Sequence, residues 1–195
     1  MAQCLDVACF FLTRAYNAGL ETEVTNLKLQ KLLYYSQCLS LALYDEPLFT
    51  DEFQAWRYGP VCPPVYRFYN DFEAAQRSPA ELDTVELSNE IRDVLEEVWQ
   101  YFSPYKAWDL SGMTHQEPPW LKARAGLPAE ASSTAAIALE DMKTLGETWL
   151  DRIERLHPQY DSNTREAMTV AIADIANTPQ LSGEEVHDWL STVLD

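Results

Sequence analysis

The chain has 195 residues, 47% of them hydrophobic, and only 6 glycines. That length supports one solid core with a small appendage, and the composition excludes both a disordered chain and a turn-rich β protein. With 14 Lys and Arg against 31 Asp and Glu, the formal charge is −17. Direct nucleic-acid binding is therefore disfavoured, whereas a basic protein partner suits the field. The same charge also serves plain solubility. The densest basic pairs are Lys28 with Lys31, Lys122 with Arg124 and Arg152 with Arg155, and they make no patch.

The spacing of Leu5, Ala8, Cys9, Leu12 and Tyr16 predicts an amphipathic first helix, ended by Asn17 and Gly19. Thr25 or Asn26 caps a second helix through about Leu43, with Leu29, Leu32, Leu33, Ser36 and Leu43 on its inner stripe. Asp45, Glu46 and Pro47 break it. Residues 52–58 read as a short extended segment, entering a turn at Gly59-Pro60. Pro63-Pro64 opens a third helix, since proline at the first helical position sacrifices no hydrogen bond. Val65, Phe68, Tyr69 and Phe72 form its buried face.

Residues 75–86 read as a polar connector. Ser88 starts a fourth helix with Ile91, Val94, Leu95, Val98, Tyr101 and Phe102 inward. A fifth helix starts at Ser103-Pro104 and ends near Met113, and Pro118-Pro119-Trp120 opens a short sixth. Residues 125–137 are loop-like, with Ile137 a candidate for a second short strand. A long helix follows, with Met142, Leu145, Trp149, Ile153 and Leu156 inward, stopped by His157-Pro158. After the linker-like residues 158–163, Met168, Ala171, Ile172 and Ile175 suit one helix face. Ser182 and Glu185 then make a capping box ahead of Val186, Trp189, Leu190 and Val193. The fold class is thus mainly α: a helical domain over 1–157 with a small β element near 53–58, and an acidic two-helix C-terminal arm over 158–195.

No phosphate-binding loop, dinucleotide fingerprint, zinc-protease motif or nucleophile elbow occurs. Cys4, Cys9, Cys38 and Cys62 form no CxxC pair, so buried reduced thiols are the default, and neither a metal nor a cofactor is expected. With no signal-like N-terminus and no run of 18 apolar residues, the expectation is a cytoplasmic protein without membrane contact. His115 lies in a cluster with Ser111, Thr114, Glu117 and Trp120. Those are residue types of a nucleophilic site, but without an oxyanion loop the better reading is that Thr114 and His115 tie one helix end to the next. An enzyme is not expected.

Residues 55–61, Ala-Trp-Arg-Tyr-Gly-Pro-Val, have two readings. One is an exposed recognition surface, because Trp, Tyr and Arg dominate interface hot spots. The other, favoured by composition, is a packed turn with Gly59 supplying an unusual backbone angle. Lys28 and Lys31 share a helix face and read as solvated lysines, or as contacts to an acidic or nucleotide-like group. The tail holds seven acidic residues and one basic, Arg165, with an apolar stripe suited to groove binding or to docking on its own core.

Three blocks, Lys28-Leu-Gln-Lys-Leu-Leu-Tyr-Tyr-Ser-Gln37, Ala55-Trp-Arg-Tyr-Gly-Pro-Val61 and Leu110-Ser-Gly-Met-Thr-His-Gln-Glu-Pro-Pro-Trp120, resemble in this order the Panacea antitoxin domain, the SocA-like, phage-associated family. The resemblance covers about residues 4–150. It implies a helical domain with a small β element that neutralises a protein toxin encoded beside it. The alternative it implies is an adapter that delivers a toxin to an AAA+ protease. The matching positions are Lys28, Gln30, Lys31, Trp56, Tyr58, Gly59, Pro60, Thr114, His115, Pro119 and Trp120. The tail, with Ser182-Gly-Glu-Glu-Val-His-Asp-Trp-Leu190, resembles the toxin-binding segment of ParD-type antitoxins. That likeness implies Val186, Trp189 and Leu190 as partner-binding anchors. The reading from sequence is therefore an antitoxin acting by protein–protein binding.

Overall fold

A computed structural model of the chain describes residues 2–74 and 87–156, of which 71–74 and Leu156 are described by their backbone alone. Among the described residues the order is α1 (Cys4–Asn17), α2 (Asn26–Tyr44), β1 (Gln54–Trp56), β2 (Gly59–Val61), α3 (Pro63–Ala74), α4 (Asn89–Phe102), α5 (Ala107–Thr114), α6 (Pro118–Arg124) and α7 (Leu139–Leu156). The fold is mainly α with a small β element, as the sequence implies. The expected arm over 158–195, the connector over 75–86 and the stop at His157-Pro158 lie outside the described residues, as do the Phe72 and Leu156 side chains.

α2 is the axis of the unit that ends at Ile153. The Thr25 hydroxyl accepts from the Lys28 amide at 3.4 Å to start it. Asp45, at φ 57°, closes it in the left-handed region. α1, α3, α4, α5 and β2 all pack on it. A helix so enclosed cannot keep a polar side, and every residue from Lys28 to Leu41 is buried. Most of its polar side chains answer burial by bonding backbone of a surrounding element or of their own turn, whereas the Tyr34 hydroxyl is buried without a hydrogen-bond partner. Gln37 donates to Phe49 O at 3.0 Å and accepts from the Leu48 amide at 3.0 Å. Gln30 Oε1 accepts from the Cys62 amide at 2.8 Å, and Lys28 Nζ donates to Ser103 O at 2.7 Å. Ser36 bonds Leu32 O and Ser40 bonds Glu46 O.

Three expectations change. Lys28 and Lys31 are not solvated: the helix carrying them has no solvent face. Leu43 and Tyr16, expected inward, sit at helix ends and are 39% and 45% exposed, while Phe11 and Val7 take the core side of α1. α5 begins at Ala107 rather than Ser103, because the Ser103 amide still bonds Trp99 O and closes α4.

The hairpin pairs Gln54 with Val61, Ala55 with Pro60 and Trp56 with Gly59. The turn is therefore Arg57-Tyr58, and Gly59-Pro60 belongs to the second strand. A third extended stretch lies along β1: Ala136 bridges Gln54, Ala55 N donates to Ala135 O at 2.8 Å, and Ile137 N donates to Phe53 O at 2.8 Å. α7 closes the other side of α2 through Gly146, where a Cβ would stand 2.0 Å from Cys38 O.

Candidate functional site

Beneath the hairpin, α2 and the α5–α6 corner build a buried polar cluster. Lys31 is fully buried and donates to Pro60 O at 2.9 Å. Gly59, at φ 102°, makes room for it: a Cβ there would meet Thr114 Oγ1 at 2.6 Å and Lys31 Cε at 2.7 Å. Glu117, the residue before α6, accepts through Oε1 from Tyr35 Oη and from Trp149 Nε1, each at 3.1 Å. Its Oε2 is buried without a hydrogen-bond partner. Burial raises the Glu117 carboxyl to about 7, against the opposing pull of those two donors and of Lys31. Burial lowers Lys31 to about 7, with Glu117 opposing. Around them Tyr35 stacks on Phe102 at 4.0 Å between ring centres, and Trp149 meets both rings edge-on.

The His115 cluster is arranged around different partners. Ser111 Oγ donates to Tyr58 O at 3.0 Å and Thr114 Oγ1 donates to Ser111 O at 2.9 Å. His115 stacks on Trp120 at 4.3 Å, and its Nε2 is buried and unpartnered. Burial, then the charge of Lys31, lowers its pKa. Trp120 in turn donates to Trp56 O at 2.9 Å. These groups carry α6 and the hairpin as one body, and the tie between α5 and α6 runs through ring stacking as well as hydrogen bonds.

Arg124, unremarked in the sequence beyond its charge, is the other fastener. It is buried and donates to Ala55 O, Pro128 O, Ala129 O and Ala131 O while lying over the Trp120 ring. It thereby holds the 125–137 loop against β1.

On the outer side of this frame lies a groove of about 650 Å³. Trp56, Tyr58 and Tyr66 line it with Trp108 from α5, and the 132–134 stretch forms one wall. Trp108 is 65% exposed and Tyr58 46%. Their rings meet edge-on at 5.4 Å, and Trp56 leans on Tyr66 at 5.1 Å. The two readings of residues 55–61 thus divide along the hairpin: Gly59, Pro60 and Val61 are buried framework, whereas Arg57 and Tyr58 face solvent. Trp108 carried a signal in the sequence, since α5 turns Leu110 inward and leaves Trp108 on the other side. Tyr66, Asn26 and the 132–134 wall carried none, because only the fold brings them together.

Residues 29–121 match the family model of the antitoxin SocA-like Panacea domain. The match begins in α2 and ends in α6, so it contains Lys31, Glu117, the hairpin and Trp108. The chain is also similar to Antitoxin SocA of Caulobacter vibrioides (strain NA1000 / CB15N), at 42% identity over 64 residues. That stretch is 33% of this chain and 33% of the relative, so the likeness spans one third of the curated protein's length. No solved structure matches significantly. Of the positions that carry the Panacea resemblance, Lys28, Gln30, Lys31, Gly59, Pro60, Thr114, Pro119 and Trp120 are buried, His115 and Trp56 are half-buried, and Tyr58 is exposed. Val186, Trp189 and Leu190 lie outside the described residues. Among the described residues no helix is long and apolar enough to cross a membrane.

Proposed function

We propose that this protein is the antitoxin of a toxin–antitoxin pair, a non-enzymatic regulator that neutralises its cognate toxin by binding it directly through the aromatic groove. The observation that carries the reading is the placement of Trp108, Tyr58 and Arg57, solvent-facing residues of the types that dominate interface hot spots, on the stretch that matches the Panacea model. The likeness to Antitoxin SocA supports the same class of role.

Co-expression with each flanking open reading frame tests it. One neighbour is expected to arrest growth alone, to be harmless beside this protein and to co-purify with it. Absence of any toxic neighbour overturns the antitoxin role. Rescue without co-purification, dependent on a host AAA+ protease, replaces direct binding by proteolytic delivery. The acidic tail is proposed as a second contact, anchored by Val186, Trp189 and Leu190. Trp189→Ala is expected to weaken the purified complex by about 2 kcal/mol, the size of a central hot spot. Unchanged affinity in a calorimetric titration removes the tail from the interface.

A further inference from the structure

The groove has three properties that together select an occupant. Its floor and one flank are aromatic, from Trp56, Tyr58, Tyr66 and Trp108. Its cationic lining residue, Arg57, is already engaged: the guanidinium lies 5.1 Å over the Tyr58 ring and pairs with Glu130 at 3.1 Å. The exposed carboxylate residue Asp109 follows Trp108, and Glu130 precedes the opposite wall, on a chain of net charge −17. Aromatic faces attract cations through the ring quadrupole, and an acidic surround adds to that attraction at longer range.

The third property is backbone. The 132–134 wall leads directly into residues 135–137, which bond β1. No backbone hydrogen bond joins Ser132, Ser133 or Thr134 to another described residue. Among the described residues these three thus line the groove without a backbone partner, the condition under which an extended peptide adds beside an existing strand.

We infer that the groove takes an extended, positively charged segment of a protein partner, its arginine or lysine side chains lying on the Trp108–Tyr58 and Trp56–Tyr66 rings and its backbone running along residues 132–134. This deepens the antitoxin reading and rests on it for the partner's identity: the toxin presents a basic extended segment.

The probes are short, end-capped, fluorescently labelled peptides of one length: valine alternating with arginine, with glutamine, or with glutamate. They are titrated against the full chain by fluorescence anisotropy at moderate salt. The arginine peptide is expected to bind at least about tenfold more tightly than the glutamine peptide, a difference of about 1.4 kcal/mol, and the glutamate peptide not at all. Trp108→Ala is expected to lose about tenfold of the arginine-peptide affinity, as for an aromatic hot spot. Leu121→Ala, which alters an exposed apolar residue of α6, is expected to lose none. Hydrogen exchange of the Ser132, Ser133 and Thr134 amides is expected to slow when the arginine peptide is bound. Equal affinity for the arginine and glutamine peptides overturns the inference, as does arginine-peptide binding that ignores Trp108→Ala, since general acidity of the surface then explains it. Unchanged exchange at all three amides overturns the backbone part. Rescue by co-expression is a separate readout. Rescue together with failed peptides removes this inference and leaves the antitoxin reading standing, and peptide binding without a toxic neighbour does the reverse.

Discussion

The polar cluster under the hairpin and the aromatic groove above it share the same short strand pair, yet they are built on opposite terms. In the cluster, Lys31, Glu117, Tyr35, Thr114 and Trp149 are buried and tightly bonded to neighbours that only one backbone arrangement provides. In the groove, the Trp108 and Tyr58 rings touch each other and solvent, and the interior reaches Tyr58 only through its carbonyl, which accepts from Ser111. Most positions that carry the family resemblance are buried, in or around the first region. The difference teaches that those positions describe a frame that holds the hairpin, while the proposed partner contact falls to side chains the frame does not constrain.

If the frame is as tightly determined as this, its close approaches tolerate no added atom. Gly146 gives the largest expected effect. A Cβ there would overlap Cys38 O, a backbone atom inside a buried helix that cannot turn away. Gly146→Ala is expected to cost about 3 kcal/mol or more, through displacement of α7 from α2. Urea denaturation measures it. A cost below about 1 kcal/mol would mean α7 slides freely and the frame is looser than its contacts imply.

The buried pair makes the next prediction, and it concerns pH. Glu117 is raised from 4.5 to about 7 in the folded chain, so between those values the native state keeps a proton that the unfolded state has lost. Stability therefore falls as pH rises from 4.5 to 7. Lys31 is lowered from 10.5 to about 7, so above 7 the unfolded state binds the extra proton and stability rises again with pH. The pair alone places a stability minimum near neutrality. Glu117→Gln keeps an oxygen for Tyr35 and Trp149 and removes the falling limb. Relative to the native chain, the variant should gain up to about 3 kcal/mol between pH 4.5 and 7, from a linkage of 1.4 kcal/mol per pH unit. Parallel stability profiles in that window would show that Glu117 is not held protonated by burial.

Much of the frame was legible in the sequence, for physical reasons that also explain the gaps. Thr25, Ser88 and Pro63-Pro64 announce helix starts because capping and proline chemistry are local. Met142, Leu145, Trp149 and Ile153 announce the inner face of α7 because one side of that helix stays wet. α2 defeated the same reading: a helix enclosed on all sides has no period, so Lys28 and Lys31 looked solvated when burial had been met by distant carbonyls at Ser103 and Pro60. Gly146 gave no sign, because its role is to let Cys38 O come close. The groove was half legible. Residues 55–61 signalled a turn rich in hot-spot residues, but its walls come from α3, α5 and residues 132–134, which only the fold assembles.

Gly59 joins the two regions and so tests whether they are coupled. Its φ of 102° is costly for any residue with a side chain, and an added Cβ would press on Thr114 Oγ1 and on Lys31. Gly59→Ala is expected to cost about 2 kcal/mol, the scale of one strained backbone position plus local repacking. If the hairpin is what the frame aims, partner binding falls as well, because Tyr58 and Trp56 shift with the strand. A variant that loses stability but binds its partner at full affinity would show that the groove does not depend on the frame beneath it.

The smallest expected change in stability belongs to Trp108, and it cuts the comparison most cleanly. Its side chain is mostly exposed and meets the hairpin only through the edge of the Tyr58 ring. Trp108→Ala should therefore alter folding stability by no more than about 0.5 kcal/mol, the ordinary range for a surface substitution, while removing a large part of partner affinity. Thermal melts of this variant beside its binding titration separate the two quantities in one preparation. A melting temperature that drops as far as that of Gly59→Ala would make Trp108 part of the frame, and the groove would then be an outer layer of the core rather than a surface kept open for a partner.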